Sequence, residues 1–140
     1  MMISLDQARL MIDVARKAGH EMGLKPLSVA VLDAGGHLLA FEREDGASPG
    51  RFEIARGKAY GAVMLGMPGS ALQARAEQQP YFIAAVNGAY DGKLIPVPGG
   101  VLVMQGDNVV GAVGVTGDTS DNDAAVAVAG IEAAGFAAKA

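Results

Sequence analysis

Two pairs of β-rich segments, each joined by a short glycine-containing turn, constrain the fold of this chain most strongly. Residues 27–33 and 37–43 flank the turn Ala-Gly-Gly. Residues 101–105 and 109–116 flank the turn Gly-Asp-Asn. Because such short turns join antiparallel strands, each pair predicts a β-hairpin. A regular alternation of strands and helices around a parallel sheet is therefore excluded.

The segments around the hairpins have apolar residues at helical spacing. The first helix begins with a capping box at Ser4 and Gln7, and Ser120 together with Asp123 is predicted to cap the last helix. Between them, three further helices are predicted. One runs from Pro49 to about residue 66, a short one follows and ends at about residue 78, and residues 81–90 indicate a third only weakly. Residues 93–97 predict a fifth strand, whereas the Ala-rich tail after residue 135 is expected to fray. The pattern favours an α+β fold in which helices flank a five-stranded antiparallel sheet.

Length and composition narrow the class of protein. The chain has 140 residues, which fits one domain over residues 1–140. It contains no cysteine, so disulfides, thiolate nucleophiles and cysteine-bound metals are excluded. The net charge of −4 and the lack of a Lys/Arg cluster argue against nucleic-acid binding. Neither a secretory signal nor a membrane-spanning run is recognised, so a cytoplasmic protein without a membrane partner is expected.

Four segments of the chain resemble the motifs of one protein family in their order and spacing. They are Val31–Ala47, Ala55–Ala59, Ile95–Val101 and Gly111–Gly117, the last followed by Asp123. Together they resemble the signature motifs of the GlcG/HbpS family, which includes the C-terminal domain of PduO-type proteins.

The resemblance carries its own expectations about fold and function. It implies a profilin-like α/β/α sandwich that assembles into homo-oligomers, from dimers to octamers. Members of this bacterial family are haem-binding or haem-degrading proteins, corrinoid-associated domains, or companions of catabolic operons. Haem is therefore the cofactor that the resemblance suggests, and no bound metal ion is predicted.

Lys58 is the first candidate for a functional residue, because its neighbours on the predicted second helix are apolar or small. These neighbours are Ile54, Gly61, Ala62 and Leu65. A buried lysine has a lowered pKa and can bind a carboxylate or act as a base. Alternatively, its stem lies along the core and its ammonium pairs with Asp45 or Glu53.

The second strand adds a set of side chains on a common face. A period of two places together His37, Leu39, Phe41 and Arg43. The planar guanidinium of Arg43 suits a carboxylate, such as an organic acid or a haem propionate. Alternatively, Arg43 pairs with Asp45 or Glu44, and Asp45 serves the Asp-Gly turn. We expect Arg43, Asp45 and Lys58 to form a charged cluster at the mouth of a pocket.

Haem iron needs an axial ligand, and the two histidines are the main candidates. His37 lies beside a tight turn on a partly apolar face, so it is the stronger candidate from the sequence. His20 follows charged residues on one helical face, which is typical of a solvated histidine near a helix C-terminus. The loop Pro98-Gly99-Gly100 offers backbone N–H groups to an anionic ligand, or its glycines serve a tight turn.

Three functions remain open from the sequence. The first is a small-molecule-binding protein that holds haem or another carboxylate-bearing ligand at a subunit interface. The second is a catabolic isomerase, hydratase or lyase in which Lys58 or His37 transfers a proton and Arg43 binds a carboxylate. The third is a structural assembly domain whose charged residues satisfy turns.

Overall fold

The computed structural model describes residues 2–140 and contains the five-stranded antiparallel sheet expected from the two hairpins. The strands are β1 (Ser28–Asp33), β2 (Leu38–Arg43), β3 (Gly100–Gln105), β4 (Asn108–Thr116) and β5 (Ala137–Lys139). Their order across the sheet is β2-β1-β4-β3-β5, and all neighbours are antiparallel. Both predicted hairpins, β1–β2 and β3–β4, are confirmed.

Within residues 2–140, five helices lie around the sheet, and the predicted helices are confirmed. They are α1 (Leu5–Glu21), α2 (Arg51–Leu65), α3 (Gly69–Gln78), α4 (Pro80–Ala89) and α5 (Ser120–Ala133). The capping box of α1 is present, since Gln7 N donates to Ser4 Oγ and Ser4 N donates to Gln7 Oε1. Among the described residues, no helix has both the length and the apolarity needed to cross a membrane.

The helices cover both faces of the sheet, which gives an α/β/α sandwich. One core joins α1 and α5 to the alternate side chains of β1, β3 and β4 that face them. Met11, Ile12 and Ile131 are among its fully buried members. A second core lies under α2 and includes Leu32, Leu102 and Ala112.

The fifth strand is not the one that the sequence predicted. Residues 93–97 form no strand, and β5 at the C-terminus pairs with β3 instead. Pro96 has no N–H for a strand ladder, and Ile95 N donates to Gly57 O of α2. The predicted fraying of the tail is therefore wrong over residues 137–139.

Two local predictions also need correction. The N-cap of α5 is Thr119, whose Oγ1 accepts from Asn122 N, whereas the Asp123 carboxylate bonds elsewhere. In the first hairpin, a register shift makes Leu39 an extra residue between the pairs Val31–Ala40 and Leu32–Leu38. Leu39 therefore packs with the α1–α5 core, not on the face that carries Phe41 and Arg43.

Candidate functional site

A cavity of about 220 Å³ lies where the C-terminal end of α1 meets the end of β2. Its lining consists of Arg16, His20, Leu24, Pro26, Glu44 and Asp45. The lining residues come from α1, from the loop before β1 and from the turn after β2. The cavity thus exists only because the first hairpin packs against α1, and we call it the His20 cavity.

Glu44 is the buried centre of this cavity, with only 7% of its surface exposed. Its Oε1 accepts a 2.6 Å hydrogen bond from Leu27 N, and its Oε2 accepts a 3.0 Å bond from Arg16 Nε. His20 Nε2 lies 2.8 Å from the same Oε2. A buried carboxylate needs several such partners to offset the loss of hydration. Glu44 therefore holds the side chains of α1 against the hairpin.

Arg16 is fixed by two carboxylates. In addition to Glu44, its Nη1 donates a 2.7 Å hydrogen bond to Glu42 Oε1. The hydrogen bonds to Glu44 and Glu42 raise the pKa of Arg16 above its usual value. Arg16 is therefore anchored at this wall by two hydrogen bonds, and its positive charge is already matched by carboxylates.

His20 presents an accessible imidazole at this wall. Its side chain is 65% exposed, although Nε2 faces Glu44. Histidine ligands of metals commonly have one ring nitrogen bonded to a carboxylate, which orients the ring and leaves the other nitrogen for the metal. His20 therefore combines an exposed ring with one nitrogen held by a buried carboxylate.

His37 occupies a different environment, in the turn between β1 and β2. Its side chain is 81% exposed, and Nδ1 lies 3.2 Å from Asp33 Oδ1. Asp33 Oδ1 also accepts hydrogen bonds of 2.9 Å from Gly35 N and His37 N. Partial burial opposes the charge of Asp33, but these backbone N–H groups outweigh it and lower its pKa. The structure therefore gives His37 a role in the turn and places His20, not His37, in the His20 cavity.

Lys58 is buried, with 4% of its surface exposed, and does not join Arg43 and Asp45 at a pocket mouth. Its Nζ donates to Val115 O at 3.0 Å and to Asp123 Oδ2 at 3.3 Å. Burial lowers the pKa of Lys58 and raises that of Asp123, and the pairing only partly opposes both shifts. The predicted cluster is thus not formed, and the partner of Lys58 is Asp123 instead of Asp45 or Glu53.

The remaining predicted residues are separated in the structure. Asp45 lines the His20 cavity, whereas Arg43 is an exposed residue of β2 with no ion pair among residues 2–140. Pro98, Gly99 and Gly100 are buried beside Lys58. A side chain at Gly99 would lie 2.9 Å from Lys58 Nζ, and one at Gly100 would overlap Lys58 O. These glycines permit close packing of α2.

The sequence did not identify Arg16 or Glu44 as site residues. Arg16 and His20 are four residues apart on the predicted first helix, so the sequence could have placed them on the same face. Glu44, however, lies 28 residues from Arg16 in the chain, and nothing local indicates their contact.

Comparison with known proteins gives one family and several solved structures. The family model described as haem degrading protein HbpS-like matches residues 3–132. A search of curated protein sequences gave no significant match.

The similar structures all share this fold. A double mutant of Streptomyces reticuli HbpS is 30% identical, with a TM-score of 0.81 and coverage of 94% of this chain and 86% of that one. Klebsiella pneumoniae protein ORFY is 26% identical, with a TM-score of 0.85 and coverage of 94% and 90%. The PduOC:haem complex is 20% identical, with a TM-score of 0.87 and full coverage of both chains.

Proposed function

Because the chain belongs to the HbpS-like family, we propose that it binds haem, with His20 as an axial ligand of the iron. The observation that carries this proposal is the exposed imidazole of His20, which the buried Glu44 carboxylate holds at the wall of a cavity. The structure of PduOC in complex with haem, which has the same fold, supports the same ligand class.

The other cavity residues have distinct roles in this proposal. Glu44 fixes the orientation of the His20 ring. Leu24 and Pro26, which line the cavity, would provide apolar contact for the haem. Lys58 takes no part, because it is buried between α2 and α5. Bound haem would supply an iron centre that an imidazole nitrogen can coordinate.

A second copy of the chain completes the site in this proposal. Pockets that enclose a drug-sized ligand have volumes of about 300–1,000 Å³, and the His20 cavity of about 220 Å³ is smaller. One chain therefore covers only part of a haem. We propose that the opposite face of the haem is covered by a second subunit of a homo-oligomer.

Titration of the purified protein with haemin, followed by absorbance, tests the proposal. The unaltered protein should give a saturable Soret shift, and His20→Ala should abolish it. His37→Ala is the matched control and should bind normally, because His37 lies outside the cavity. Glu44→Gln should weaken binding about tenfold, since it removes the charge that orients the imidazole.

Two outcomes would contradict the proposal. A Soret shift that is lost in His37→Ala and kept in His20→Ala would assign the iron ligand to the turn. A haem complex that sediments with the mass of one chain would show that no second copy is needed.

A further inference from the structure

We propose that the chain also binds a small organic carboxylate in a second cavity, at the start of α2. This cavity has a volume of about 230 Å³. Its lining includes Lys25, Pro26, Ala47, Ser48, Arg51 and Gly117. It shares only Pro26 with the His20 cavity. The proposal does not depend on haem binding.

Arg51 is held in place by two neutral hydroxyl groups. Its Nε donates to Ser48 Oγ at 3.0 Å, and its Nη1 donates to Thr116 Oγ1 at 2.8 Å. Among residues 2–140, no carboxylate lies within ion-pair distance of its guanidinium. The guanidinium is therefore oriented in advance while its charge stays unmatched, which is the arrangement that favours an anionic ligand.

Lys25 adds a second cation to the same cavity. Its side chain forms no ion pair in the described part of the chain. The nearby acid is Asp118, whose carboxylate accepts from Lys25 N at 3.1 Å, Thr119 N at 2.9 Å and Asn122 Nδ2 at 2.9 Å. Hydrogen bonds from Asn122, Lys25 N and Thr119 N are the main causes of the lowered pKa of Asp118, and the Lys25 charge adds to them. The Lys25 ammonium forms no direct ion pair within residues 2–140, so it can contact a ligand.

The buried charges of Lys58 and Asp123 do not make this cavity negative. Lys58 and Asp123 form an ion pair with each other, and no acidic side chain from residues 2–140 lines the cavity. Burial is the main cause of the lowered pKa of Lys58, and the nearby charge of Arg51 adds to it. The unmatched charge of Arg51, with the Lys25 ammonium beside it, therefore favours an anion in this cavity, although the whole chain carries a net charge of −4.

The lining indicates an organic acid instead of an inorganic anion. The Arg51 N–H groups that are not bonded to Ser48 and Thr116 suit the oxygens of a carboxylate or of a phosphate, so the choice between these anions depends on the rest of the lining. Pro26 and Ala47 offer apolar contact to a short carbon skeleton, and the Ser48 hydroxyl is a further polar group. Inorganic phosphate has no carbon skeleton and should bind more weakly than a small dicarboxylate.

Isothermal titration calorimetry of the haem-free protein, with succinate and with inorganic phosphate as probes, tests this site. Succinate should bind at one saturable site and more tightly than phosphate. Arg51→Gln should weaken succinate binding about tenfold or more, and Lys25→Gln should weaken it several-fold. Arg9→Gln, which removes an exposed charge on α1 outside this cavity, is the matched control and should bind as the unaltered protein does.

Several results would overturn the proposal. They are no saturable heat with succinate, tighter binding of phosphate than of succinate, or equal binding by the unaltered protein and Lys25→Gln. The exposed Lys25 side chain makes no hydrogen bond within residues 2–140, so this variant is informative even if Arg51→Gln fails to fold. His20→Ala should bind succinate normally, which separates this site from the haem proposal.

Discussion

Glu44 is the residue on which the His20 cavity depends. It accepts hydrogen bonds from Leu27 N of the loop and Arg16 of α1, and it lies beside His20. A carboxylate is seldom buried unless such donors compensate for its lost hydration. A single acidic side chain at the end of β2 therefore sets the position of two side chains on α1.

Asp118 gives a pH-dependent prediction at the residue scale. Its hydrogen bonds to Asn122, Lys25 and Thr119 lower its pKa to about 2. The unfolded chain binds the proton at a higher pH than the folded chain does, so stability should fall as the pH drops from about 4 to about 2. Asp118→Asn should make this fall shallower, as measured by urea unfolding at a series of pH values.

Asp107→Asn is the matched control for this prediction. Asp107 lies in the turn between β3 and β4, and its carboxylate accepts no hydrogen bond among residues 2–140. The control should keep the slope of the unaltered protein. An unchanged slope in Asp118→Asn would show that its hydrogen bonds do not survive in solution.

At the scale of elements, α2 lies unusually close to the sheet. Its contact side carries small residues, among them Ala55 and Ala59, which are fully buried. The opposing position on β4 is Gly114, where an added Cβ would overlap Ala55 O and lie 3.0 Å from Ala59 N. The helix therefore packs backbone against backbone at this point.

Gly114→Ala should destabilise the protein by about 3 kcal/mol, because the helix must move away from β4 to admit the methyl group. Gly88→Ala is the matched control. Gly88 lies within α4 with no atom near its added Cβ, so alanine there should stabilise the protein by about 0.5–1 kcal/mol. Urea unfolding gives the free energy of unfolding of both variants. Equal values would contradict the close packing of α2 against the sheet.

At the scale of the whole molecule, the Lys58–Asp123 ion pair connects the two helical layers. Lys58 belongs to α2 on one face of the sheet, and Asp123 belongs to α5 on the other face. Both side chains are buried, with 5% and 1% of their surface exposed. The second oxygen of Asp123 accepts from Asp118 N at 3.0 Å, which fixes the chain just before α5.

Lys58→Met should destabilise the protein by about 3–5 kcal/mol, because it leaves the charge of Asp123 buried without a partner. Lys58→Met combined with Asp123→Asn should lose less stability than Lys58→Met alone, since the unpaired charge is then removed. Urea unfolding of both variants at pH 7 makes the comparison. If the double variant were the less stable protein, the cost would come from packing and not from the uncompensated charge.

The sequence by itself determined the local elements. Short turns predicted both hairpins, and apolar spacing together with caps and turn residues predicted the helices, weakly over 81–90, because these features depend on residues a few positions apart. The sequence also indicated the family and the two histidines from which an axial ligand could be proposed. It placed the fifth strand wrongly over 93–97, since β propensity alone does not show which segment pairs with the edge of β3.

Only the tertiary structure decided the site. Arg16 and Glu44 are 28 residues apart, and Lys58 and Asp123 are 65 residues apart, yet each pair is in direct contact. No local periodicity encodes such contacts, because they arise when α1 and α2 pack on opposite faces of one sheet. The same packing buried Lys58 in an ion pair, exposed His37 in a turn and placed His20 against a buried carboxylate.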